Sequence, residues 1–177
     1  MTTPPFQPVD ERDVAAVSAQ LGRPARDVIG IAARCVCGSP TVVATAPRLS
    51  DGTPFPTLYY LSHPGATAAV SHLEAAGVMA EFTALLDTDD GLRAGYELAH
   101  RRYLADRDAV LEVPEIAGFS AGGMPTRVKC LHALVAHSLA AGHGVNPIGD
   151  LALERADWSP EHCVCRPFQA DPAHAVD

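Results

Sequence analysis

The chain has 177 residues and almost no lysine: the only one is Lys129, and asparagine is equally scarce, with Asn146 alone. Aromatic residues make up only 6% and charged residues 19%, with a net charge of -8. That excess of negative charge argues against broad binding to nucleic acid or to an anionic membrane surface. No apolar run approaches the roughly 18 residues that a membrane-spanning helix needs. The N-terminal MTTPPFQPVDERD carries neither a basic segment nor an apolar one, so no secretory signal is expected and the chain is read as cytoplasmic. There cysteines are normally reduced, which turns the five present here from disulfides towards metal or thiol chemistry.

Arginine, alanine, glycine and proline abound, as codon bias in a GC-rich bacterial genome would produce. Arginine is then the default cation. A retained lysine suggests a place that wants a compact ammonium, set against the plainer reading of one codon kept by chance.

Residues 1–9 are Pro-rich and expected to form a disordered tail. Asp10 can cap a helix that carries Val14, Val17 and Leu21 and stops at Gly22. DVIGIAAR (27–34), TVVATA (41–46) and TLYYLS (57–62) are rich in β-branched and aromatic residues and read as strands. With no helix between them, an antiparallel meander is the economical arrangement. Helices are expected from Pro64 to Gly77, at about 79–87, at about 91–112, from Pro125 to about 141, and briefly after Pro147. The reading is a single α+β domain over 10–157, a small three-stranded antiparallel sheet on a layer of helices. Residues 158–177 are expected to be a poorly ordered tail.

Chemistry-bearing residues sit at element ends. Cys35 and Cys37 lie in a Cys-x-Cys-Gly turn, which can aim two thiolates at one ion; the usual zinc knuckle has two residues between its cysteines, so Cys37 is the weaker candidate. His63 precedes Pro64 at a helix N-terminus, whose positive end keeps an imidazole neutral and able to ligate. Cys130, His132 and His137 fall on one expected helix. At 100° per residue, Cys130 and His132 would point about 200° apart, and Cys130 and His137 would sit about 10.5 Å apart along the axis. All three could not serve one ion unless that helix began near His132. Arg127 and Lys129, following Gly122 and Gly123, suggest an anion site, although no G-x-x-x-x-G-K-[ST] is present. His162, Cys163 and Cys165 belong to the expected tail and are placed outside the site.

RCVCGSPTVV, PRLSDGTPFPTLYYLSHP and GGMPTRVKCLHALVAHSLAAGHGVNPIGD together resemble domain of unknown function family 501, a bacterial family common in actinobacteria. The resemblance covers about residues 25–155 and brings no established activity. It implies marked positions at Arg34, Cys35, Cys130, His132, His137 and Asn146, with a cysteine in many members at the place of His63. An exchange of cysteine for histidine is one that zinc sites tolerate and iron–sulfur sites tolerate less readily.

Two functional readings stand at this point. The first is a transition-metal site formed by Cys35, His63, Cys130, His132 and His137, holding zinc, with an iron–sulfur cluster as the alternative. The second is a metal-free thiol enzyme with Cys35 as nucleophile, His132 as base and Lys129 as the neighbouring cation, acting on a phosphate-bearing or otherwise anionic substrate.

Overall fold

The computed structural model describes residues 6–162, 164 and 165. Its first helix, α1 (Glu11–Leu21), opens on a reciprocal cap in which Asp10 and Asp13 each accept the other's backbone N–H. It ends where Gly22 turns left-handed, φ 65°. The strands β1 (Val28–Arg34), β2 (Pro40–Thr45) and β3 (Tyr59–Leu61) form the expected antiparallel meander in the order β1-β2-β3.

The middle strand is buried along its whole length because both faces are covered. Val43 meets Ile31 and Val17, on the side of α1. Val42 and Ala44 face the larger core, built with α2 (Pro64–Ala75), α3 (Val78–Thr88), α4 (Asp90–Asp108), α5 (Leu131–Ala141) and α6 (Pro147–Arg155). α5 is the central helix. Leu131, Leu134, Val135, Ala136, His137, Ser138 and Ala140 are all buried, and such an all-round apolar helix belongs inside a domain. α6 packs on it so closely that a Cβ on Gly149 would lie 2.3 Å from the Leu134 carbonyl oxygen. Truncating a side chain such as Leu134 to alanine here should cost about 2–5 kcal/mol.

Two helix boundaries differ from the sequence reading. α4 stops at Asp108 rather than near 112, and a 3-10 turn at Pro114–Ile116 follows. More consequentially, α5 begins at Leu131 and not at Pro125. Donors that a longer helix would use are taken elsewhere. Val128 N–H donates to Thr83 Oγ1 (3.0 Å), while Lys129 and Cys130 N–H both donate to the Gly122 carbonyl (2.7 and 3.3 Å). Leu131 N–H is then capped by Glu74 Oε1 at 2.7 Å. Cys130 is therefore the N-cap of α5 in an extended conformation, and the opposed directions expected of Cys130 and His132 on one helix do not arise.

No helix of the described residues is long and apolar enough to cross a membrane. Trp158, assigned to the tail by sequence, is only 9% exposed and belongs to the main core.

Candidate functional site

Two separate clusters of chemistry-bearing side chains form among the described residues. The first lies at the β1–β2 turn. Cys35 N–H donates to Ser39 O (2.9 Å) and Gly38 N–H donates back to Cys35 O (2.8 Å), with Gly38 at φ 89°, where a side chain would be strained. Arg34 fastens the turn's base: its guanidinium grips both carboxylate oxygens of Asp13 at 2.7 and 2.8 Å and donates to Gly38 O at 3.0 Å. That grip holds the Asp13 carboxyl below the usual carboxylate range.

The segment after α6 then docks on this turn. Val36 N–H donates to Pro160 O at 3.0 Å, and the Trp158 ring lies 5.4 Å from that of His63. Gly65 leaves room for the approach, since a Cβ there would come within 3.2 Å of the Val164 side chain. The result is a sulfur cluster: the Sγ atoms of Cys35, Cys37 and Cys165 lie within 4.8 Å of one another. Cys35 is buried, Cys165 half-buried and Cys37 exposed, the last hydrogen-bonded to Ser39 Oγ at 3.3 Å.

His63 touches this cluster through Cys165, with Nε2 3.0 Å from Sγ. It caps α2, accepting the Ala66 N–H on Nδ1 at 3.3 Å. A nitrogen that accepts cannot carry the proton, so the neutral ring holds its proton on Nε2, directed at sulfur. Burial pushes the His63 pKa down, which favours that neutral form.

The second cluster joins α2 to the start of α5. Ligand-type atoms of Glu74, Cys130 and His132 lie within 4.8 Å of one another. His132 Nδ1 stands 3.1 Å from Glu74 Oε1, and Nε2 stands 3.2 Å from both the Thr67 carbonyl and Ser71 Oγ. The Thr67 carbonyl can only accept, so Nε2 carries a proton, and Nδ1 faces the Glu74 carboxylate at ion-pair distance, a setting that favours the imidazolium. Contact with Cys130 first, then Glu74, raises the His132 pKa to about 9 against the opposing effect of burial.

Cys130 also lines a cleft of about 650 Å³ with Gly122, Gly123, Arg127 and Lys129. The cleft needs both glycines: at φ 69° and 94°, their added Cβ atoms would fall 2.5 Å from Leu134 Cδ2 and from Arg127 O respectively. Neither Arg127 nor Lys129 forms an ion pair among the described residues, so both exposed cations face solvent at the cleft.

The five sequence-selected ligands are thus dealt among three places. Cys35 and His63 lie at the sulfur cluster, and Cys130 and His132 at the second. His137 joins neither. It is fully buried, stacked on Tyr59 (centroids 5.8 Å, planes 9° apart) and edge-on to Tyr103 at 5.1 Å. Asn146 donates to its Nδ1 at 3.2 Å, and burial lowers its pKa to about 4. It is a core histidine.

Three cluster members lie outside the five ligands selected from the sequence, where Cys37 is the weaker candidate and Cys165 belongs to the expected tail. Cys37 was signalled by the Cys-x-Cys-Gly turn. Cys165 was signalled by a second Cys-x-Cys, formed with Cys163, which lies outside the described residues. Glu74 had no signal, because nothing in an amphipathic helix marks one carboxylate as facing Cys130. His162 is exposed and joins neither cluster.

The fold and the two clusters define a class: a single α+β domain whose hairpin turn and central helix N-terminus each gather cysteine with histidine. The model of the family described as protein of unknown function (DUF501) matches residues 31–154, and the chain belongs to that family. The matched segment contains the whole Glu74–Cys130–His132 cluster but stops short of Cys165. No curated protein and no solved structure matches the chain.

Proposed function

We propose that this is a zinc-binding protein in which Cys35, Cys37 and Cys165 hold the ion as thiolates and so clamp the segment after α6 to the β1–β2 turn. The observation that carries the reading is the convergence of three sulfurs from opposite ends of the fold, each within 4.8 Å of the others. Tetrahedral zinc, with zinc–sulfur bonds near 2.3 Å, holds its thiolates about 3.8 Å apart. Three soft thiolates suit zinc or an iron–sulfur cluster and exclude the hard cations that prefer oxygen. Zinc is favoured because Cys37 is exposed and His63 offers a single N–H to one sulfur, a setting that suits a lone ion better than a cluster.

In this reading His63 supports the ion from outside its ligand shell. Its Nδ1 is occupied by the Ala66 N–H, and its Nε2–H donates to the Cys165 thiolate, spreading negative charge that three sulfurs would otherwise concentrate. The role is structural: the ion ties residue 165 to residues 35 and 37. The rival with Cys35 as a thiol nucleophile is disfavoured, because that residue is 4% exposed and its sulfur lies within 4.8 Å of two others.

The test is metal content of the purified, untagged chain, before and after Co(II) substitution. One equivalent of metal and a sulfur-to-cobalt charge-transfer band are expected, both lost in Cys35→Ser and in Cys165→Ser. The intensity of that band counts thiolates, and Cys163→Ser shows whether the remaining cysteine adds a fourth. A double variant, Cys35→Ser with Cys165→Ser, that still retained one equivalent of metal would refute the assignment.

A further inference from the structure

The Glu74–Cys130–His132 cluster shares no residue with the proposed zinc site, and its geometry is of another kind. Its single sulfur sits at the N-cap of α5, where the side chain makes no capping bond and where first-turn N–H groups present their positive pole. His132, bonded to Thr67 O through Nε2 and facing Glu74 through Nδ1 at 3.1 Å, is placed to carry a positive charge within 4.8 Å of that sulfur. Glu74 is itself oriented by the Leu131 N–H at 2.7 Å. An imidazolium and a helix N-terminus are the two environments that stabilise the attacking, anionic form of a thiol. Carboxylate, imidazole and sulfur lie within 4.8 Å of one another, and Cys130 alone of the three residues lines the cleft.

The cleft supplies the second half of the argument. Arg127 and Lys129 line it without ion-pair partners among the described residues, and the glycine pair lets the loop fold tightly against Leu134 and the Arg127 carbonyl, which sets the cleft's wall. Two unneutralised cations beside a nucleophile select a substrate that carries negative charge. The retained lysine gains a role here that a surface cation would not have.

We infer that Cys130 is a nucleophilic thiol, assisted by His132 and Glu74, whose thiolate displaces a leaving group from carbon or phosphorus of an anionic molecule bound against Arg127 and Lys129: the bond to sulfur forms as the bond to the leaving group breaks, and that group departs with the electron pair. An ion bridging Glu74, Cys130 and His132 is the competing use of the same atoms. It would require His132 Nδ1 to be unprotonated and to bind the ion instead of pairing with Glu74.

The pair of probes iodoacetate and iodoacetamide tests this, with alkylation of Cys130 followed by peptide mass spectrometry so that the other cysteines do not confuse the reading. In each reaction the sulfur forms a bond to the probe's methylene carbon as the carbon–iodine bond breaks, and iodide leaves with the electron pair. Only the first probe is anionic. The wild type should react with iodoacetate faster than with iodoacetamide, and inorganic phosphate should slow the former. Lys129→Ala combined with Arg127→Ala changes only exposed side chains; it should slow iodoacetate about tenfold while leaving iodoacetamide within about twofold. His132→Gln should slow both probes about tenfold, since it removes the charge beside the sulfur. A probe preference that survives loss of both cations would overturn the anionic-substrate half. Cys130 that resists both probes until a chelator is added is a metal ligand, which would overturn the inference while leaving the Cys35–Cys37–Cys165 reading untouched.

Discussion

Replacing His137 with glutamine separates a core histidine from a metal ligand, and the effect should depend on pH. Burial holds the folded-state pKa at about 4, whereas a histidine in an unfolded chain titrates near 6.5. Between those values the unfolded state takes up a proton that the folded state refuses. Stability is therefore intact above about 6.5 and lost as the pH falls towards 4. The full window corresponds to about 3 kcal/mol, of which about 2.5 kcal/mol is spent between pH 7.5 and 4.5. His132 acts with the opposite sign: its raised pKa of about 9 stabilises the fold below about 6.5, and that contribution is lost as pH rises through 9. Between pH 7.5 and 4.5 that contribution grows by about 1.4 kcal/mol, but both proteins carry His132 and it cancels in their difference. In His137→Gln the amide oxygen can still accept from Asn146, but the ring's packing on Tyr59 and Tyr103 goes, at a cost of about 1–3 kcal/mol at neutral pH. Urea unfolding of both proteins, with chelator present throughout, reads the difference. The wild type's advantage near neutrality should shrink or reverse at pH 4.5. An advantage of equal size at both pH values would refute the neutral, buried state assigned to His137.

With zinc about 100-fold above its dissociation constant, the ion should add about 2.7 kcal/mol, or roughly 5–11 °C in the unfolding midpoint. Cys165→Ser and chelator-treated wild type should lose that increment equally, and a chelator without effect on the wild type would count against the clamp. Inorganic phosphate should raise the midpoint of the wild type but not of Lys129→Ala, whose untreated midpoint stays put; if phosphate fails even with the wild type, Lys129 is an ordinary surface charge. Gly123→Ala forces a side chain at φ 94° and a Cβ 2.5 Å from Arg127 O, so calorimetry should show a loss of about 1–3 kcal/mol, and an unchanged midpoint would mean that the cleft's loop is not held as described.

The meander and the helical layer were legible because each rests on local pattern. Strands 28–34 and 40–45 carry their β-branched residues with them, Asp10 and Gly22 bracket α1, and the proline at 64 opens α2. The start of α5 was not legible. Nothing local stops a helix at Pro125; what stops it is Gly122 O, 7 and 8 residues away from its two donors, and Thr83 Oγ1 and Glu74 Oε1 from other helices. The tail's docking was hidden for the same reason, since Pro160 O finds its donor at Val36, far away in sequence.

The sequence by itself determined which chemistry is present: cysteine and histidine at element ends, one lysine after a glycine pair, and a strand and helix inventory that builds an α+β domain. Tertiary structure decided which of those groups meet. It sent Cys35 to Cys37 and Cys165, gave Cys130 to Glu74 and His132, and buried His137 among tyrosines. Periodicity and capping act over a few residues and can be read along the chain. The distance between two side chains 50 or 130 positions apart depends on how whole elements pack, and no local pattern encodes it.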